Sequence, residues 1–236
     1  MSFVAEDVQE WASSDDDYTY DDDDKMSCGL GLPGEPKESK EASKPSALTP
    51  YELSLIGDGS CVASRRILGD FRSFNRSTTI QEAGISATLL DDSLYKWRVS
   101  MDLTRGPFVV DNDHSKDPLD LDLMAFQADC RRWGVTEILL EMLFPTDYPF
   151  APPFVRVVAP RFAFHKGRVT VGGSICTEVL TPSGWSSTLT VEDLLIALQA
   201  EMLAGEPRLN PANQSRYSLS EAKAAFDRVA KAKGWL

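Results

Sequence analysis

Cysteine pairs with metal-binding spacing are missing from this chain. Its four cysteines, at positions 28, 61, 130 and 176, form no C-x-x-C, and its two histidines, His114 and His165, flank no cysteine pair. A structural zinc site is therefore not expected. No apolar run approaches the ~18 residues of a membrane span. The opening MSFVAEDVQEW is acidic and lacks the basic and apolar regions of a signal peptide. The expectation is an intracellular protein, cytoplasmic or nuclear, with reduced thiols and no membrane partner. Basic residues are outnumbered, 24 Lys+Arg against 36 Asp+Glu, for a net charge of −12. Nucleic acid is not an expected partner, because neutralising phosphates needs clustered Lys and Arg.

The acidity is uneven. Residues 1–50 hold thirteen acids and four lysines, a net −9, which leaves about −3 for the rest. Asp15 to Asp17 and Asp21 to Asp24 repel one another, and the Gly/Pro/Ser/Lys/Glu-rich stretch to Pro50 offers little apolar surface. Such a segment does not offset its ordering entropy, so residues 1–58 read as a disordered acidic tail and 59–236 as one folded domain. Val4, Val8 and Trp11 have helical spacing within that tail, and DDDDK at 21–25 resembles a protease tag site. A domain of this length buries roughly 70% of its unfolded surface and needs no staple.

From Ser60 the pattern changes. Val62, Ile67, Leu68, Phe71 and Phe74 recur at helical spacing among Arg65, Arg66, Arg72 and Arg76, predicting an amphipathic first helix with a basic side. Ile85, Ala87 and Leu89 alternate, as do Tyr95, Trp97, Val99 and Met101, with Asp91-Asp92-Ser93 between them. These predict two strands and a turn. A polar insertion from Thr104 to Pro118 precedes a predicted helix from Leu119 to Trp133, then strands at 137–144 and 154–158. Pro145, Pro149, Pro152 and Pro153 forbid regular structure between those strands. After an irregular stretch, helices are predicted over 191–203, with Thr190 as cap, and from about Ser220 onward. The fold class is α+β: a four-stranded antiparallel meander with an N-terminal helix and C-terminal helices.

Cys176 lies in VGGSICTEVL, after a glycine pair and inside the irregular stretch. Glycines allow another backbone to come close, so an extended peptide end would reach a thiol placed there. Free cysteine is also among the most buried residue types, and an inert core thiol is the competing reading.

The segments LFPTDYPFAPPFVRVVAPRF (143–162), GGSICTEVL (172–180) and GWSS (184–187) together resemble the ubiquitin-conjugating (UBC-type) enzyme family. SLYKWRV (93–99), PFVRVVAP (153–160), the Arg-Tyr-Ser-Leu at 216–219 and the Gly-Trp at 234–235 resemble its Q-type subgroup. The similarity spans about residues 60–236. It implies a UBC-like fold in which Cys176 takes the C-terminal carboxyl of ubiquitin, or of a ubiquitin-like protein, from an activating enzyme as a thioester. An amine, usually a substrate lysine, then receives it. The implied partners are the modifier, the activating enzyme, a ubiquitin ligase and protein substrates. No cofactor is implied, since ATP is consumed upstream.

Most of the family carries His-Pro-Asn before the cysteine. This chain reads His165-Lys166-Gly167 and has no Asn between Phe154 and Cys176, so only the His matches. The oxyanion role is left to main-chain amides near Ser174 or to another side chain. By resemblance His165 supports the loop, Glu178 occupies a position where many members carry Asp, and Trp185 anchors the loop beside the cysteine. Phe150 matches a ligase-contact position, although the neighbouring Ser-Pro-Ala is here Ser186-Ser187-Thr188. Arg65, Arg66 and Arg72 match the face shown to the activating enzyme. Two alternatives stay open: a non-catalytic UBC-like module that binds ubiquitin or a partner, and an adaptor role of the acidic tail. A chain shortened to start at Leu55 is expected to melt at nearly the temperature of the full chain; a clear drop would show that the tail packs on the domain.

Overall fold

The computed structural model describes residues 60–105 and 118–235. The expectations for the acidic tail and for most of the 104–118 insertion lie outside those residues. Helix α1 (Cys61–Phe74) starts at Ser60, whose hydroxyl accepts from the Ala63 amide at 3.1 Å. Its buried stripe is Ala63, Ser64, Ile67, Leu68, Asp70 and Phe74, while Val62 is 56% exposed. The apolar spacing thus locates the helix but places Val62 on the wrong side. A second, short helix, α2 (Thr78–Glu82), follows and caps itself through Ser77; the apolar spacing predicts no element there.

Strands β1 (Ile85–Leu90), β2 (Ser93–Met101), β3 (Ile138–Leu143) and β4 (Phe154–Ala159) form one antiparallel sheet in chain order, the predicted meander. Asp91 and Asp92 both adopt left-handed φ, 54° and 50°. A two-residue turn of that kind matches the right-handed twist of the strands it joins. Ala87 pairs with Val99 and Val99 with Leu140, so one register runs from β1 through β2 to β3. Helix α3 (Pro118–Trp133) crosses between β2 and β3 and buries Leu123 and Phe126.

Helix α4 (Val191–Ala204) is buried over most of its circumference, with Leu194, Leu195, Leu198 and Met202 inaccessible. Gln199 sits in the same apolar surroundings. Its amide nitrogen donates to the carbonyls of Ala83 and Asp102, both at 2.9 Å, which ties α4 to the start of β1 and the end of β2. Thr190 caps α4 as predicted, accepting from the Asp193 amide at 3.1 Å. Its neighbour Glu192 accepts instead from the Ser77 hydroxyl at 2.6 Å. Helix α5 (Leu219–Lys233) ends the fold and opens with a capping box between Ser218 and Glu221.

Trp97 is fully buried on β2. Its ring meets Phe71 of α1 at 4.9 Å and Phe144 at 5.1 Å, and its indole N–H donates to the Leu94 carbonyl at 2.9 Å. Phe144 continues to Tyr148 at 5.0 Å and Tyr148 to Trp185 at 6.1 Å. This aromatic chain runs from α1 across the sheet to the segment after Cys176. Trp97→Ala is expected to cost roughly 3–5 kcal/mol in denaturant unfolding, the range for truncating a buried large aromatic.

Candidate functional site

Beyond Pro160 the chain leaves the sheet and returns alongside it. The Val157 amide donates to the Gly173 carbonyl at 2.7 Å, and Arg156 bridges Ser174. Residues 173–174 therefore extend the sheet past β4. Val169 bridges Ile175, and the Cys176 amide donates to the Arg168 carbonyl at 2.7 Å, closing a small hairpin with the cysteine at its end. Ser174 and Ile175 are fully buried, and Cys176 is half-buried with a free thiol.

The turn of that hairpin's first arm is built from left-handed residues: His165 (φ 58°), Gly167 (φ 63°) and Arg168 (φ 56°). Two of these are not glycine, and such conformations concentrate where a structure commits a loop to function. Main-chain bonds hold the turn. Ala163 donates to the Arg208 carbonyl at 2.8 Å and Gly167 to the Gly205 carbonyl at 2.7 Å, while Lys166 pairs with Glu206. Arg208 in turn grips Asp129 of α3 at 2.7 Å, and the Arg208 hydrogen bond holds the Asp129 carboxyl below its ordinary range. The exposed ring of His165, expected to support the loop, lies against Phe164, centroids 3.8 Å apart, while main-chain bonds hold the turn.

Phe164, His165 and Arg168 face Ala225, Arg228 and Lys233 of α5 across a cleft of about 530 Å³ that opens onto Cys176. The structure thus brings Cys176 and His165 into one cleft. Glu178 does not line it. Its side chain is exposed, it begins a short 3-10 turn (Glu178–Leu180), and its carbonyl accepts from the Thr181 amide at 2.9 Å. Sequence reasoning missed the α5 wall, because nothing local to Arg228 or Lys233 marks them as neighbours of a thiol.

The glycine pair also has a different use from the one expected. A Cβ on Gly172 would lie 2.2 Å from the Glu221 carbonyl oxygen, and one on Gly173 would lie 2.6 Å from the Tyr217 ring. The room beside these glycines is filled by the chain's own Tyr217 and first turn of α5, not left for an incoming peptide. Tyr217 is held from three sides. Its hydroxyl accepts from the Phe162 amide at 3.0 Å, Arg161 stacks on its ring at 4.3 Å, and its carbonyl accepts from Arg156 at 2.9 Å. Arg156 is buried and pairs with Glu141 on the facing strand.

Trp185 anchors its loop as expected, donating from Nε1 to the Pro149 carbonyl at 2.7 Å. Phe150 is 74% exposed beside it. Of the three arginines expected on the partner face of α1, Arg65 is exposed and Arg72 half-buried. Arg66 is half-buried and bonded within the fold. Its guanidinium donates to Asp70 at 3.0 Å, to the Ser187 carbonyl at 2.8 Å and to the Leu189 carbonyl at 2.7 Å. It is committed within the fold, because Asp70 is buried and needs a countercharge. Tyr148 also donates to Asp70, at 2.8 Å. Burial nonetheless keeps the Asp70 carboxyl above its ordinary range, against the pull of the Tyr148 and Arg66 bonds. Burial likewise pushes the half-buried Cys130 thiol up to about 11. Cys61 is exposed at the start of α1.

Residues 114–233 match the sequence profile of the family described as ubiquitin-conjugating enzyme. A Q-like ubiquitin-conjugating enzyme of Drosophila melanogaster is 32% identical over 205 residues, 85% of this chain and 61% of that protein. Ubiquitin-conjugating enzyme E2 Q1 of Homo sapiens is 34% identical over 181 residues, 75% of this chain and 40% of that protein. The human Q-like protein 1 is 36% identical over 158 residues, 64% of this chain and 87% of that protein. The chain thus spans 61% and 40% of the length of the first two relatives.

The first turn of α5 carries a pH dependence. The Ser218 amide, then the Arg161 guanidinium, hold the Glu221 carboxyl at about 2, below its ordinary 4.5. A depressed carboxyl contributes stability that is full above 4.5 and is lost as pH falls through about 2. The melting temperature is expected to fall with acid across that window, and Glu221→Gln should flatten the fall. An unchanged acid profile in Glu221→Gln would remove this carboxylate from the account.

Proposed function

We propose the following chemistry for a chain that belongs to the ubiquitin-conjugating enzyme family, in its Q-type subgroup. Cys176 accepts the modifier and passes it on. The thiolate attacks the carbonyl carbon of the activating enzyme's thioester with ubiquitin or a ubiquitin-like protein. A C–S bond forms to Cys176, and the activating enzyme's thiolate leaves. An acceptor amine then attacks the same carbonyl: a C–N bond forms, Cys176 leaves as thiolate, and the amine's proton passes to solvent. His165 supports the cleft wall through its ring contact with Phe164. Arg65 and Arg72 on α1 are proposed to meet the activating enzyme, and Phe150 a ligase.

The observation that carries this reading is the setting of the three described cysteines. Cys176 alone of these lies on the cleft, at the end of a hairpin held by main-chain bonds. Cys130 is half-buried on α3 with its thiol held protonated, and Cys61 stands at the outer end of α1. Thiolate is the reactive form, so a thiol pushed up to about 11 is the poorer candidate.

Incubation with activating enzyme, ATP and ubiquitin is expected to give an adduct cleaved by reductant. Cys176→Ser should give a slower, thiol-resistant adduct or none, and Cys176→Ala none. Joint replacement of Cys28, Cys61 and Cys130 should leave the labile adduct in place. A labile adduct on Cys176→Ala would sink the assignment. A wild type that charges with no modifier would make a ubiquitin- or partner-binding module the better reading.

A further inference from the structure

The cleft beside Cys176 gathers charge of one sign. Residues 51–236 carry only about −3 of the net −12, and among the residues lining the cleft every ionisable side chain other than the thiol is basic: His165, Arg168, Arg228 and Lys233. Glu178 and Asp227, exposed and close in sequence to the cleft residues, do not line it, and three further carboxylates nearby are engaged. Glu201 pairs with Arg168 at 3.5 Å, Glu206 with Lys166, and Glu221 with Arg161 at 3.0 Å. Arg228 and Lys233 are both exposed on α5, and Lys233 lies over the Trp235 ring, 5.0 Å from its centroid. The floor and rim between these cations are apolar, with Phe164 68% exposed, Val171 55% exposed and Val229 half-buried.

We infer that this cleft is a docking groove for the acceptor, and that it takes an extended segment with carboxylates and an apolar side chain beside the attacked amine. The inference rests on the proposed thioester chemistry. An acceptor of that composition satisfies both features of the groove. Its apolar residue covers Phe164 and Val171, and its carboxylates meet Arg228 and Lys233. A lysine flanked by neutral or basic residues brings its ammonium into a field of like sign, which raises the cost of approach. The flanking carboxylates offset that field and hold the amine over the thioester carbonyl. The covalent step is the one already written: C–N forms, C–S breaks, Cys176 departs as thiolate and the amine's proton goes to solvent.

The test is single-turnover discharge of the charged full-length chain to short peptides with one lysine and one leucine, flanked by glutamates or by glutamines. The quantity read is the ratio of the two rates within each protein, so that differences in charging cancel. The acidic peptide is expected to discharge the thioester roughly three- to tenfold faster, what two exposed ion pairs supply. The ratio should approach one at about 0.5 M salt, where exposed charges are screened. Arg228→Glu with Lys233→Glu should invert the ratio, and Arg228→Lys should keep it. Equal rates in the wild type, or a ratio untouched by the double reversal, would overturn the inference.

A second readout separates this inference from the proposed function: fluorescence anisotropy of the acidic peptide on the uncharged chain. If the chain never charges but binds the acidic peptide, and the double reversal abolishes binding, the groove stands while the enzymatic reading falls. If the uncharged chain binds the peptide and charging of Cys176 displaces it, the groove belongs to the modifier's tail and the acceptor assignment is overturned. No binding and no rate preference together remove the groove as a docking site.

Discussion

Arg156 carries a full charge into the interior of the sheet, and the surroundings of the thiol follow from how that charge is met. It is 6% exposed on β4, opposite Glu141 on β3. A buried guanidinium left unpaired costs several kcal/mol, on the order of 3–5 when one partner is removed. Glu141 supplies the countercharge, and the Tyr217 carbonyl takes another of its hydrogens. That second bond fixes Tyr217 against Gly173, and with it the start of α5 against Gly172. The cleft has its second wall because α5 is held there.

A parallel arrangement operates on the far side of Cys176. Asp70 is buried on α1, and Arg66 and Tyr148 both serve it. Arg66 has donors left over and spends them on the carbonyls of Ser187 and Leu189. Trp185 reaches back to Pro149 in the turn that holds Tyr148. The segment after the cysteine is thus tied to the first helix and to the proline-rich turn. Two polar clusters, one on each side, place an irregular stretch that has little secondary structure of its own to do so.

The sheet was readable because its signal is local. Alternation in Ile85, Ala87 and Leu89 and in Tyr95, Trp97, Val99 and Met101 encodes which face is buried, and a turn of two aspartates joins them. Cys176 stood out through the order of several short motifs around it. What the sequence hid depends on partners far along the chain. Arg66 looks like any other arginine on a basic helix face until Ser187 and Leu189 are brought beside it. Arg228 and Lys233 look like ordinary solvated charges on an amphipathic helix. One clue was present and unused: Arg156 interrupts the run Val155, Val157, Val158 in a strand with buried faces, a place where a charge needs a partner. The glycine pair was located correctly and its purpose misread, since freedom to be approached says nothing about which neighbour does the approaching.

At Gly172 there is no clearance: the carbonyl of Glu221 already stands where any side chain's first carbon would go. Chemistry and steric fit therefore bear on the same few residues from opposite sides, one asking that a sulfur be reachable, the other that a main chain not be displaced. A library that randomises the approach to Cys176 should find almost no tolerance at position 172. Substitutions at 172 would report on the seating of the last helix rather than on reactivity. A directed-evolution campaign that reads lost activity there as a chemical effect would be led to the wrong residue.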